Sequence, residues 1–126
     1  MGLFSALLGN AGAVNPAELN EKYGKLLTDD ENIELGFKLV RDTFVFTNKR
    51  LIFINVQGLT GNKVEYKSII YKSISRFSIE TAGSFDLDAE LKIWVSSEAQ
   101  PSIRTQFNKS VNVYEVQKLL AHHVAK

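Results

Sequence analysis

The sequence predicts a mainly β protein with helices (α+β): a barrel of seven short antiparallel strands, closed by a C-terminal α-helix, plus an N-terminal helical extension. Three observations lead there. Between Asp42 and Val56 the chain reads DTFVFTNKRLIFINV, two runs of β-branched and aromatic residues around a polar break, Thr47-Asn48-Lys49-Arg50, which is a hairpin signal. Runs with an apolar period of two flank this hairpin on both sides. From Asn112 onward the apolar period becomes that of a helix.

Taken in order, Leu3, Phe4, Leu7 and Leu8 recur at helical spacing until Gly9, Asn10 and Gly12 interrupt them. A second helix has an explicit start, with Asn15 as N-cap, Pro16 at the first helical position and Glu18 completing a capping box. Leu19, Tyr23 and Leu26 follow as one apolar stripe that must pack on something. Residues 28–32, TDDEN, read as a polar linker. On this reading residues 1–27 are a helical extension and residues 28–126 the main domain.

From Ile33 the period is two, with Ile33, Leu35, Phe37 and Leu39 alternating with polar or small residues, as in a half-buried antiparallel strand. Phe44 and Phe46 share one face of the next strand, while Leu51 and Phe53 oppose Ile52, Ile54 and Val56 on the one after. Residues 57–63, QGLTGNK, form a Gly-punctuated loop. A fourth strand is expected over 64–71 and a fifth over 73–81, with Phe77 and Ile79 inward and a turn at 82–84. The sixth puts Leu91, Ile93 and Val95 on one face and Lys92 and Trp94 on the other, and Ile103, Thr105 and Phe107 mark the seventh. Asn112 and Glu115 make a second capping pattern, opening a helix with Val113, Val116, Leu120 and Val124 along one face. A strongly bent seven-stranded sheet leaves one end of its core open. Such a helix closes it by burying apolar area worth about 25 cal/mol per Å².

At 126 residues the chain has the length of one domain with one hydrophobic core. Fifteen basic and fourteen acidic residues leave a net charge of +1, so no global field steers it to nucleic acid. The absence of cysteine removes disulfides, thiolate metal sites and cysteine nucleophiles, and fits a cytoplasmic location. No apolar run approaches the roughly 20 residues that span a bilayer, the N-terminus has no basic n-region, and Ala6 stands where a myristoylation motif wants Ser or Thr.

Four segments, in order, carry a family resemblance: Thr47-Asn48-Lys49-Arg50-Leu51-Ile52-Phe53, Val64-Glu65-Tyr66-Lys67-Ser68-Ile69, Ser73-Ile74-Ser75-Arg76-Phe77 and Glu90-Leu91-Lys92-Ile93-Trp94. Together they resemble the bacterial pleckstrin-homology (PH)-like domains, over about residues 17 to 125. The TNKRL string by itself is weak, because it recurs in other membrane-associated modules of similar fold. The resemblance implies a stand-alone PH-like barrel in a family known to assemble into rings, with no established enzyme activity. One departure matters. Phosphoinositide-binding eukaryotic members place several Lys/Arg around the first hairpin, whereas this chain offers Lys38 and Arg41 and then DTFVF without a cation. A polyphosphate headgroup needs several convergent charge-assisted donors, so specific phosphoinositide binding is not expected.

Lys38, Arg41, Lys49 and Arg50 are candidates for a basic rim that binds anionic lipid or a protein partner. The plainer reading is that hairpin tips are polar for backbone reasons alone. Trp94, Lys92 and Arg104 are candidates for a homo-oligomer interface at a sheet surface, with Leu3, Phe4 and Leu7 as supporting contacts; burial of Trp94 beneath a helix is the alternative. His122 and His123 point about 100° apart on a helix and do not converge on one ion. Glu80, Asp86, Asp88 and Glu90 match no Ca²⁺-loop spacing and have no nucleophile or base beside them. No serine lies in G-x-S-x-G, and Gly58 and Gly61 make no P-loop. No catalytic, cofactor-binding or metal-ligating residue is therefore assigned, and no cofactor is expected.

The expected function is that of a non-catalytic interaction module. It would self-assemble into a ring-like homo-oligomer through strand edges or sheet faces and scaffold protein partners. The alternative is a peripheral membrane adaptor with weak, salt-screened contact to anionic lipid through the hairpin rim.

Overall fold

The computed structural model describes residues 14–39, 42–59, 61–81, 89–107 and 112–125. Leu3, Phe4, Leu7, Arg41, Asp86, Asp88 and the turn expected at 82–84 lie outside the described residues. Contacts divide the chain into two compact units, Met1–Ile69 and Ile70–Lys126.

In the first unit, helix α1 (Pro16–Tyr23) is followed by a 3-10 turn (Gly24–Leu26) and by strands β1 (Ile33–Lys38), β2 (Asp42–Thr47), β3 (Arg50–Gln57) and β4 (Lys63–Ile70). The strands form one sheet in the order β1-β2-β3-β4. Asn15 caps α1 as expected, its Oδ1 accepting from the Ala17 N–H at 2.8 Å, with Pro16 at the start of the helix.

Register explains why β2 is apolar at both parities. Phe44 lies between Phe37 and Phe53, and Val45 between Gly36 and Ile52, so adjacent residues of β2 serve opposite faces. On the aromatic face the Phe37 and Phe44 rings stack at 4.9 Å, and Phe53 tilts against Phe44 at the same distance. On the other face Leu19 of α1 joins Val45, Ile52 and Ile54, with Val14, Tyr23, Leu27 and Ile33 packed around them. Helix and sheet approach this closely because position 36 is glycine. A Cβ there would overlap the Leu19 side chain and sit 3.1 Å from the Phe44 carbonyl oxygen. Leu27, rather than the expected Leu26, completes this cluster, since the chain leaves α-helical geometry at Gly24.

The second unit contains a 3-10 turn (Tyr71–Ser73), β5 (Ile74–Thr81), β6 (Ala89–Val95), β7 (Ile103–Phe107) and helix α2 (Val113–Val124). Its sheet runs β5-β6-β7, fully antiparallel. Phe77, Ile93 and Ile103 align across it, as do Ile79, Leu91 and Thr105, so one face is apolar as the alternation predicts. Asn112 caps α2 by accepting from the Tyr114 N–H at 3.1 Å. Val113, Val116, Leu119 and Leu120 are buried, and α2 packs on β5 and on the turn at Tyr71–Ser73.

Seven strands and a C-terminal helix thus stand in the expected order. Among the described residues they form two hydrogen-bonded sheets, of four and three strands, where the sequence suggested a single bent sheet. The break falls at Tyr71, which was expected to end the fourth strand. The chain curls there into the 3-10 turn, and the Ser73 hydroxyl donates to the Ile70 carbonyl at 2.7 Å.

Candidate interaction surfaces

The polar break of the central hairpin is anchored to the segment before β1. Thr47 Oγ1 accepts from the backbone N–H groups of Lys49 and Arg50, both at 3.0 Å, which tightens the turn. The same hydroxyl donates to Glu31 Oε2 at 2.6 Å. Arg50 holds that carboxylate in a two-point clamp, Nε to Oε2 at 2.8 Å and Nη2 to Oε1 at 3.0 Å. Two further donors go to the Leu26 carbonyl at 2.7 Å and to Ser68 Oγ at 2.8 Å. Asn48 completes the seam: its N–H donates to the Asn32 carbonyl, and its Oδ1 accepts from the Asn32 N–H at 2.7 Å.

The Glu31 side chain is fully buried at this seam. Burial opposes its charge. The hydrogen bonds from Arg50, Thr47 and the Thr28 N–H outweigh that cost and hold its carboxyl at about 2. Lys49 meets Asp30 at 3.0 Å in the open, with side chains 44% and 75% exposed. That contact and the Thr28 hydroxyl hold the Asp30 carboxyl below its ordinary value.

Of the expected basic rim, Arg50 therefore turns its guanidinium to protein acceptors and Lys49 is paired. Lys38 is exposed at the end of β1, where it lines a groove of about 380 Å³ beside α1 with Glu18, Glu21 and Lys22. That groove carries both signs of charge, and Lys49 and Arg50 do not line it.

Of the expected oligomer-interface residues, Trp94, Lys92 and Arg104 lie on one surface, the outer face of β5-β6-β7. Trp94 is half-buried, with the Arg76 guanidinium 4.4 Å over its ring and its indole N–H donating to the Ala99 carbonyl at 3.3 Å. Lys92 sits between Glu80 at 3.6 Å and Glu90 at 3.8 Å, and Arg104 reaches Glu90 at 3.4 Å. The face is laced by its own cross-strand pairs. On α2, His123 is buried and stacks on Tyr71 at 4.4 Å. No group of three His, Cys, Asp or Glu among the described residues is placed to hold a metal.

Two features escaped the sequence reading. Glu31 looked like one more charge in a polar linker, and only the hairpin across from it makes it a buried anchor. Strand β4 was read as ordinary, yet Val64, Tyr66 and Ile70 along one face are 40%, 48% and 50% exposed. Lys63 and Glu65 on the opposite face are exposed too.

A four-stranded and a three-stranded antiparallel sheet followed by a C-terminal helix define a protein of PH-like fold. The chain belongs to the bacterial PH domain family, whose model matches residues 2–124. It is 53% identical over 121 residues to the uncharacterised protein YjqA of Bacillus subtilis (strain 168), covering 96% of this chain and 97% of that one. Among solved structures it is similar to a DUF1696 family protein with a pleckstrin-homology domain from Shewanella loihica PV-4, with TM-score 0.81 and 46% identity over 91% of this chain and 97% of the other. A pleckstrin homology domain from Shewanella amazonensis SB2B matches with TM-score 0.77 and 46% identity, over 95% and 96% of the two chains. No helix among the described residues is long and apolar enough to cross a membrane.

Proposed function

We propose that this chain is a non-catalytic cytoplasmic interaction module that self-associates into a closed, ring-like homo-oligomer and presents protein-binding surfaces on it. The observation that carries the reading is β4. It is the terminal strand of its sheet, and its apolar residues Val64 and Tyr66 face solvent. A terminal strand of this length with exposed apolar side chains is a template for another chain. The outer face around Trp94, Lys92 and Arg104 is the second candidate contact, and it ranks lower because its charges already satisfy one another. The membrane-adaptor alternative draws less support than the sequence offered it, since Arg50 is committed to Glu31, Leu26 and Ser68.

Light scattering behind a sizing column, at low and high salt, tests the reading. A discrete, salt-resistant multiple of the chain mass is expected, and Tyr66→Ser should reduce it toward the monomer. A monomer at micromolar concentration in both salts would overturn it, and anionic vesicles would become the partner to try.

A further inference from the structure

The groove beside α1 carries polar groups that the fold does not use. It lies between that helix and the sheet face the helix covers, has a volume of about 380 Å³, and takes its apolar lining from Val14, Leu19 and Tyr23. Register builds one wall. Lys38 pairs directly with Thr43 across β1 and β2, and directly opposed residues of an antiparallel pair share a face, with Cα atoms about 4.5–5.5 Å apart. It is the face on which Gly36 and Val45 meet Leu19, because residues two apart along a strand point the same way. The other wall is helical. Glu18 and Glu21 stand three apart on α1 and are neighbours on its surface.

These groups differ from the chain's other charged clusters. Arg50 is clamped to Glu31, and Lys92 and Arg104 are paired with Glu80 and Glu90. Among the described residues, by contrast, Glu18, Glu21 and Lys38 enter no ion pair, while Lys22 lies 5.5 Å over the Tyr23 ring. Thr43 is only 7% exposed, and its hydroxyl makes no hydrogen bond among the described residues. A buried hydroxyl without a partner is uncommon, because its desolvation goes uncompensated.

We infer that this groove binds a small zwitterion of the amino-acid type, carrying an ammonium group, a carboxylate and a short apolar side chain. The charges of the lining select that class. A simple anion would face Glu18 and Glu21, and a simple cation would face Lys38 and Lys22. A molecule with both ends sets its carboxylate against the Lys38 ammonium and the Thr43 hydroxyl, which are donors. Its ammonium meets the Glu18 and Glu21 carboxylates, which are acceptors. The apolar side chain then covers Leu19 and Val14, in a groove within the size range of small-molecule sites. Every residue involved belongs to the first unit, so the inference is independent of self-association.

L-Leucine is the probe, titrated into isotope-labelled full chain and followed by NMR amide shifts. Isoamylamine, which is leucine without its carboxylate, and isocaproate, which lacks the ammonium, are the comparisons. Saturable shifts with leucine are expected at Glu18, Lys38 and Thr43. Each half-molecule should bind about tenfold more weakly, having lost one set of charge-assisted contacts. Lys38→Gln, at an exposed strand end, should lose the preference for leucine over isoamylamine. Thr43→Val keeps the shape and removes the hydroxyl. It should weaken leucine binding while the urea midpoint holds or rises, because an unpartnered buried hydroxyl gives folding nothing. Absence of saturable shifts with leucine, or equal binding by leucine and either half-molecule, would overturn the inference. A fall in stability in Thr43→Val would overturn it too, since the hydroxyl would then serve the fold.

Discussion

The hairpin tip with its seam, and strand β4, invert what their sequences suggest. Residues 47–50 and 28–32 are densely charged and look made for a partner, yet Thr47, Asn48 and Arg50 spend polar groups on Glu31 and Asn32 across the seam. Strand β4 reads as routine sheet, yet it leaves Val64 and Tyr66 in solvent. Charge in a short loop is thus weak evidence of a ligand until the acceptors within reach have been counted. A row of apolar side chains left exposed along one face of a terminal strand is stronger evidence, because such an edge is a template for another chain.

The largest test of this contrast is Arg50→Met. It keeps the apolar stem of the side chain and removes the clamp, leaving the Glu31 carboxylate buried without its counter-charge. Removing one member of a buried pair costs about 3–5 kcal/mol, readable as a fall in the urea midpoint at unchanged slope. Tyr66→Ser should stay within about 0.5 kcal/mol on the same axis, as expected for an exposed position, while changing the mass in solution. If the two variants lose similar stability, β4 is structural and the contrast fails.

The second test uses pH. The Glu31 carboxyl sits at about 2 in the folded chain against an ordinary value of 4.5. A depressed carboxylate contributes stability that is fully present above the ordinary value and is lost as pH falls through the folded one. The window is therefore pH 4.5 down to about 2, and the contribution is of order 3 kcal/mol. Urea midpoints measured across that window should fall more steeply for the natural chain than for Glu31→Gln, which has no proton to take up there. Parallel curves would show that the carboxylate is not held as the geometry implies.

How much of this was legible beforehand follows from the range of each interaction. Caps at Asn15 and Asn112, the face shared by Phe44 and Phe46, and the inward set Leu91, Ile93, Ile103 and Phe107 depend on neighbours within one turn or one strand, and local pattern carries them. The fold follows from those elements in order. The Arg50–Glu31 clamp joins residues 19 apart in sequence, and α1 lies close on the sheet only because Gly36 is bare where Leu19 arrives. No periodicity encodes either. The exposure of β4 is harder still, since its alternation is that of any half-buried strand, and only the strand order reveals that, among the described residues, β4 ends its sheet.

The smallest effect belongs to Lys49, and it sharpens the comparison within the hairpin tip itself. Lys49 and Arg50 are adjacent cations, each facing an acidic residue of the same segment. Arg50 meets a buried carboxylate through two bonds, while Lys49 meets exposed Asp30 through one contact at 3.0 Å. Exposed pairs contribute little, because solvent screens them and long side chains resist being held. Lys49→Gln should therefore shift the urea midpoint barely at all, and less still at high salt. It should nevertheless raise the Asp30 carboxyl toward its ordinary value, since Lys49 is the main cause of its depression. NMR titration of that carboxyl reads the change directly. A large loss of stability in Lys49→Gln would place Lys49 in the seam with Arg50, and no movement of the Asp30 titration would mean that the pair does not form in solution.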